Sequence, residues 1–199
     1  MKKILLLTIL LASIFGLSGC ASKGNTMALA PKGTKIEKPE SGKAQIVFMR
    51  ASMYLAAKNF SIFEIIDDKP VIIGTLAPYA KVVHTISEGK HIFMVSFTGE
   101  HSALMEVEVL KGKTYYSYMT VHPGMFTTST SFEPYDKSVS QEDIDGYLKA
   151  CDLVVLNEKT LAWAKKNEYD IAQNYKEALE DWNDEDDEDR VRLLASDGR

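Results

Sequence analysis

The spacing of hydrophobic and polar positions changes along the chain. Behind the basic head Met1-Lys2-Lys3, Ile4 to Phe15 is apolar except for Thr8 and Ser13. These twelve residues fall short of the roughly 20 that cross a hydrocarbon core. From Lys43 to about Val121 the signals are those of strands. Ala44 to Met49 is an apolar run ending at Arg50, and Phe60 to Ile66 alternates with Phe60, Ile62 and Glu64 on one face. Asp67-Asp68-Lys69-Pro70 is a turn before Val71 to Leu76. Ser87-Glu88-Gly89 predicts a hairpin pairing Ile86 with His91 and His84 with Phe93. Val82, His84, Ile86, His91, Phe93, Val95 and Phe97 then share one core face. Ala103 to Leu110 and Thr114 to Met119 complete about seven strands. Short strands separated by turn chemistry indicate an antiparallel β-sandwich.

Beyond Thr127 to Ser131, a hydroxyl-rich stretch that reads as a loop, the period becomes helical. Ser140 can cap a helix carrying Ile144, Tyr147, Leu148 and Cys151 at i, i+3, i+4 and i+7. Asn157 can cap one longer helix from about Glu158 to Trp182, with Leu161, Ala164, Ile171, Tyr175, Ala178 and Trp182 as its stripe. That stripe is expected to pack on the domain's own sheet. Glu168 interrupts it too early for a coiled-coil seam. The expected class is mainly β, with a C-terminal α-helical extension.

Composition narrows the partners. The 199 residues carry 28 acidic and 23 basic side chains, net −5. A nucleic-acid surface needs a basic excess, so nucleic acid is not an expected partner. Two Cys cannot staple a disulfide-rich scaffold.

The apolar run has the length and flanks of a secretory signal peptide. It ends in Leu17-Ser18-Gly19-Cys20, which resembles the bacterial lipobox. That resemblance implies recognition of Leu17, Ser18 and Gly19 by a signal peptidase. It further implies a thioether-linked diacylglycerol on Cys20, cleavage before it, and N-acylation, for example by palmitate, of the new terminus. Two or three acyl chains make a lasting anchor, at about 0.8 kcal/mol per buried CH₂. Ala21, rather than Asp, follows the Cys, a pattern similar to Gram-negative lipoproteins exported to the outer membrane. Removing 1–19 takes away Lys2 and Lys3 and no acid, which leaves 21 basic against 28 acidic groups, net −7. The expected organisation is a signal peptide over 1–19, lipidated Cys20 and a flexible tether over 20–42, a β-sandwich over 43–135, a helical extension over 136–183 and an acidic tail over 184–199.

Gly42-Lys43-Ala44 with Phe48 and Arg50, Gly74-Thr75-Leu76, Glu88-Gly89-Lys90-His91 and Gly112-Lys113-Thr114-Tyr115-Tyr116 together resemble a family of bacterial lipoproteins of unknown function. That family has a small immunoglobulin-like or prealbumin-like β-sandwich. Ser87 to His91 is also similar to the Pro-Glu-Gly-Ala surface-layer domain, with Ser87 where that motif has Pro. No activity is known for the family, so the resemblance implies no catalytic residues.

The remaining chemistry is sparse. His84, His91, His101 and His122 show no Cys-His or i+4 metal spacing, so neither a metal nor a cofactor is expected. Asp184 to Asp189 lacks the Gly and alternation of a Ca²⁺ loop and reads as a solvated, mobile charge run. Val191 to Leu194 is an apolar island beyond it. Cys151, on an apolar stripe, reads as buried and inert. Tyr115, Tyr116 and Tyr118 read as core and edge residues of a closing strand. No Gly-x-Ser-x-Gly elbow or phosphate loop occurs. The expectation is a non-enzymatic envelope lipoprotein that faces the periplasm and binds an envelope protein or cell-wall component. The alternative is a small envelope enzyme, such as a hydrolase, whose site is assembled from residues such as His84, His101 and Glu106.

Overall fold

The computed structural model describes residues 27–56, 58–97, 101–123 and 128–199. The stretch expected to be a signal peptide, the lipobox-like Leu17-Ser18-Gly19-Cys20 and residues 21–26 of the expected tether lie outside them. Eleven strands among the described residues form two mixed sheets. The first sheet contains β1 (Ala28–Leu29), β2 (Lys43–Arg50), β5 (Ala80–Ser87), β8 (Thr114–Pro123), β9 (Thr128–Pro134) and β10 (Asp152–Val155), in the order β1-β10-β5-β2-β8-β9. The second contains β3 (Phe60–Ile66), β4 (Lys69–Leu76), β6 (Gly89–Phe97), β7 (Ala103–Val109) and β11 (Arg192–Leu193), in the order β11-β7-β6-β3-β4. Three helices follow the main strands: α1 (Gln141–Ala150), α2 (Glu158–Lys166) and α3 (Glu168–Asp184).

Period-two alternation divides each central strand between two cores. On β2, Ala44, Ile46 and Phe48 face the space between the sheets, while Val47 and Met49 face outward. On β6, Phe93, Val95 and Phe97 point inward and Met94 outward. The sheets therefore pack face to face on one central core. Each outer face is covered in turn. Ile144 of α1 packs over Val47 and Met49, and Ile171, Tyr175 and Ala178 of α3 pack over Phe63, Ile72, Met94 and Leu104. This explains why β2 reads as a continuous apolar run rather than an alternating one. The helical stripe does pack on the domain's own sheet, as its spacing predicts, although Leu161 remains 51% exposed.

Several expectations need correction. The strands number more than seven, and the sheets are not purely antiparallel: β2 runs parallel to β8, β10 to β5, and β11 to β7. β5 and β6 do not form a hairpin. β5 pairs with β2 from Ser87 opposite Lys43 to Ala80 opposite Arg50, while β6 pairs with β3 and β7. Only Glu88 separates them, and Gly89 at φ +129° turns the chain from one sheet into the other. Val82, Ile86, Phe93, Val95 and Phe97 still share the central core, because both strands show it the same face.

From Thr128 the hydroxyl-rich stretch is strand β9, paired with β8 from Ser117–Pro134 to Pro123–Thr128, while Thr127 lies outside the described residues. The single helix over 158–182 is two helices, parted at Asn167 (φ −106°, ψ 17°). The Asn167 side chain donates to the Trp163 carbonyl at 2.7 Å, the competition with the helical ladder that breaks runs at Asn. Ser140 and Asn157 cap as expected, accepting from the backbone N–H of Asp143 and Thr160.

Both ends of the described chain are docked. Met27 is buried, and Ala28–Leu29 pairs with β10, so the segment read as tether is held to the domain at Met27–Leu29. At the other end, Leu193 is buried, and β11 lies beside β7 with Arg192 opposite Glu106. The apolar island in the acidic tail is thus a strand.

Candidate functional site

A cleft of about 390 Å³ opens where α2 gives way to α3 over the second sheet. The break at Asn167 creates it by directing the two helices differently. Trp163 stands in the last turn of α2 as a half-buried wall, part of the cluster beneath α3. Asp170, Ile171, Gln173 and Asn174 come from the first turns of α3, at spacings that share one side. Ser61 and Ser96, cross-strand neighbours on the outer face of β3 and β6, form the floor. Asn174 Nδ2 donates to Ser96 Oγ at 3.2 Å. Among the described residues, the Asp170 carboxylate and the Gln173 amide have no hydrogen-bond or ion-pair partner. The cleft therefore offers an aromatic wall, a small apolar contact at Ile171, amides, hydroxyls and one free carboxylate.

A second constellation closes one end of the two-sheet core. Glu64 of β3 accepts from His84 Nε2 on Oε2 and from His91 Nδ1 on Oε1, each at 2.8 Å. His84 belongs to the first sheet and Glu64 to the second, so the bond clasps the sheets together. His91 Nε2 also lies 3.0 Å from the Ser87 carbonyl. Both His91 partners are oxygens that only accept, so both bonds form together only in the imidazolium. The two imidazoles hold the Glu64 carboxyl down at about 2, and Glu64 in turn raises the His91 pKa. Phe93 lies against both rings, its centroid 5.9 Å from His84 and 6.4 Å from His91.

Arg50 is 1% exposed, yet among the described residues no carboxylate pairs with it. Its Nη1 donates to the carbonyls of Lys58 (2.6 Å) and Leu76 (3.2 Å), and its Nη2 to those of Tyr54 (2.7 Å) and Leu55 (3.1 Å). The guanidinium lies 4.5 Å from the Phe60 ring centroid, and burial lowers its pKa to about 10. A cavity of about 110 Å³ adjoins it. Because the four Nη hydrogens are already committed, Arg50 organises the loop after β2 instead of presenting a fork to a ligand.

The histidines and acids singled out in the sequence are dispersed. His84 meets His91 through Glu64, but not His101 or Glu106. Alternation puts Glu106 on the outer face of β7, where it bonds Arg192 at 3.2 Å and lies 3.7 Å from Lys90, whereas His84 points to the inner face. His101 is exposed, and His122 Nε2 lies 2.9 Å from Ser131 Oγ. Cys151 is buried and free. Tyr115 is fully buried, accepting from the Leu110 N–H and donating to the Ala195 carbonyl. Within the acidic run, Asp187 pairs with Arg192.

No group of three or more His, Cys, Asp or Glu among the described residues is arranged to hold a metal ion. In the clasp, the histidine nitrogens meet the carboxylate itself rather than a common point. No helix among the described residues is long and apolar enough to cross a membrane.

The residues missed in the sequence are Glu64 as a partner, Trp163, Asn167, Asp170, Gln173 and Asn174. An acid on the core face of an alternating strand was the available signal for Glu64. The cleft had none, because it depends on the helix break. No protein-family model matches the chain, and none of the curated proteins matches it.

Proposed function

We propose that the chain is a lipid-anchored bacterial envelope protein, a non-enzymatic binding module held at the periplasmic face of the outer membrane by acyl chains on Cys20. The observation that carries this reading is the register of basic head, twelve-residue apolar core and Leu17-Ser18-Gly19-Cys20. Its domain would be of the immunoglobulin-like or prealbumin-like kind, with helices laid on both outer faces. Only residues 21–26 separate Cys20 from Met27, the first described residue, which is buried in the domain. Seven steps of extended chain reach at most about 25 Å. The domain therefore stays within that distance of its anchor and meets ligands close to the membrane. The binding role is supported by the cleft beside Trp163, where the solvent-open Asp170 and Gln173 side chains bond no other group among the described residues.

Metabolic labelling with a fatty-acid analogue tests the anchor. The parent chain is expected to take up label and to fractionate with outer membrane, and Cys20→Ala to do neither. Equal labelling of the two would remove the anchor and the localisation together.

A further inference from the structure

We propose that the cleft between α2, α3 and the second sheet binds a neutral chain of N-acetylated amino sugars, with Trp163 as its platform. The inference rests on the envelope-binding reading and names its ligand class. An aromatic face with convergent polar side chains around it, open to solvent and bonded to no other protein group, is the make-up of a small-ligand site. Here the unpaired groups are the Asp170 carboxylate and the Gln173 amide, and the Asn174 carbonyl oxygen is left over after its NH₂ bonds Ser96.

Their chemistry selects the ligand. Asp170 is the one ionised group lining the cleft, and it only accepts hydrogen bonds. With the chain's net charge of −5, it disfavours phosphate- or carboxylate-bearing ligands and suits a donor of adjacent hydroxyls. Gln173 both donates and accepts, which matches an acetamido group in kind. The acetamido methyl needs an apolar contact, and Ile171 supplies one beside the Trp163 ring. A pyranose lays its C–H face on an aromatic ring while its hydroxyls point sideways to the polar rim. At about 390 Å³ the cleft takes one to two sugar rings, so the ligand is a segment of a longer strand, lying along the surface.

The chain has two Trp residues, 163 and 182. Trp182→Phe leaves Trp163 as the sole indole reporter. The full chain carrying that substitution, purified in a detergent without a sugar headgroup, is titrated with the β-1,4-linked tetramer of N-acetylglucosamine. Trp163 emission is expected to shift, with saturation at or below about 1 mM. Asp170→Ala, at an exposed position, is expected to weaken binding at least about tenfold without changing the far-ultraviolet dichroism, and with only a small fall in melting temperature from the loss of an acid in the first turn of α3. Trp163→Phe is expected to retain part of the affinity by calorimetry, and Trp163→Ala none.

No emission change and no heat up to about 10 mM tetramer would overturn the proposal. So would binding indifferent to Asp170, or a response to a muramyl stem peptide but not to the sugar. None of these results would touch the labelling experiment, so the ligand and the anchor fail separately.

Discussion

The Glu64 carboxylate and the His91 imidazole lie 2.8 Å apart, and the second His91 nitrogen is held by a backbone carbonyl. This geometry makes stability a function of pH, with opposite signs on the two sides. Glu64 is depressed from 4.5 to about 2 by its histidine bonds. Its contribution is present above the unfolded carboxyl value and is lost as pH falls through the folded one. His91 is raised from 6.5. Its contribution is present below 6.5 and is lost as pH rises through the folded value. The clasp is therefore strongest between about pH 4.5 and 6.5.

Glu64→Gln is expected to destabilise the fold most in that window, on the order of 2–3 kcal/mol, and less on either side of it. Urea unfolding of both proteins from pH 3 to pH 9 measures it. A difference that does not change with pH would show that the clasp carries no linked proton.

Arg50 yields a second prediction. Its four donated bonds tie the loop after β2 to the end of β4, and the Leu76 carbonyl lies in the core. Arg50→Ala orphans those acceptors and opens a void under Phe60, so it is expected to cost about 3–5 kcal/mol. Arg50→Lys is expected to recover less than half of that, since one ammonium cannot span two pairs of carbonyls. Chemical denaturation of the three proteins tests the ordering. A lysine variant as stable as the parent would show that charge, rather than the planar fork, is what the loop needs.

Much of this fold could be read from local pattern, and the parts that could not share a physical cause. The core strands, the Ser140 and Asn157 caps and the buried Cys151 follow from periodicity and side-chain chemistry within a few residues. Which strands pair is a long-range matter. Ile86 and Phe93 face the same core whether β5 and β6 form a hairpin or part into two sheets, so alternation cannot distinguish the two. On β9, Thr130 donates back to the Thr120 carbonyl along the β8–β9 ladder. Such residues resemble a loop until that neighbour is known. The cleft residues were invisible for a similar reason. Trp163 and Asn174 belong to what the spacing reads as one continuous helix, and only the turn at Asn167 makes them neighbours.

Cys151 gives a third prediction. It ends α1, is 4% exposed, and burial pushes its thiol upward. The Lys81 ammonium donates to the carbonyls of Leu148 and Cys151, fixing the backbone there. Ellman's reagent at pH 8 is expected to react with Cys151 only as fast as the protein opens, and rapidly in denaturing urea. Stoichiometric labelling of the folded protein within seconds would contradict that burial. A disulfide-linked dimer on non-reducing electrophoresis would do the same.

The last prediction concerns the C-terminus, where a Cβ built on Gly198 would lie 2.6 Å from Tyr115 Cζ and 2.9 Å from Lys113 Cβ. Tyr115 cannot withdraw, because it is fully buried and its hydroxyl is bonded to Leu110 and Ala195. Gly198→Ala must therefore lift the tail itself. That breaks the paired backbone bonds between Thr114 and Arg199, both 3.0 Å, and the 2.7 Å bond from Lys137 to the Gly198 carbonyl. The substitution is expected to cost about 1–3 kcal/mol. It should also free the end for carboxypeptidase, which should leave the parent chain intact at native conditions. Leu193→Ala, which empties the buried contact of β11, is expected to cost about 2–4 kcal/mol and to expose the same end. If both variants melt with the parent and resist trimming, the tail adds nothing to the fold, and the docking of β11 against β7 is not a stabilising contact.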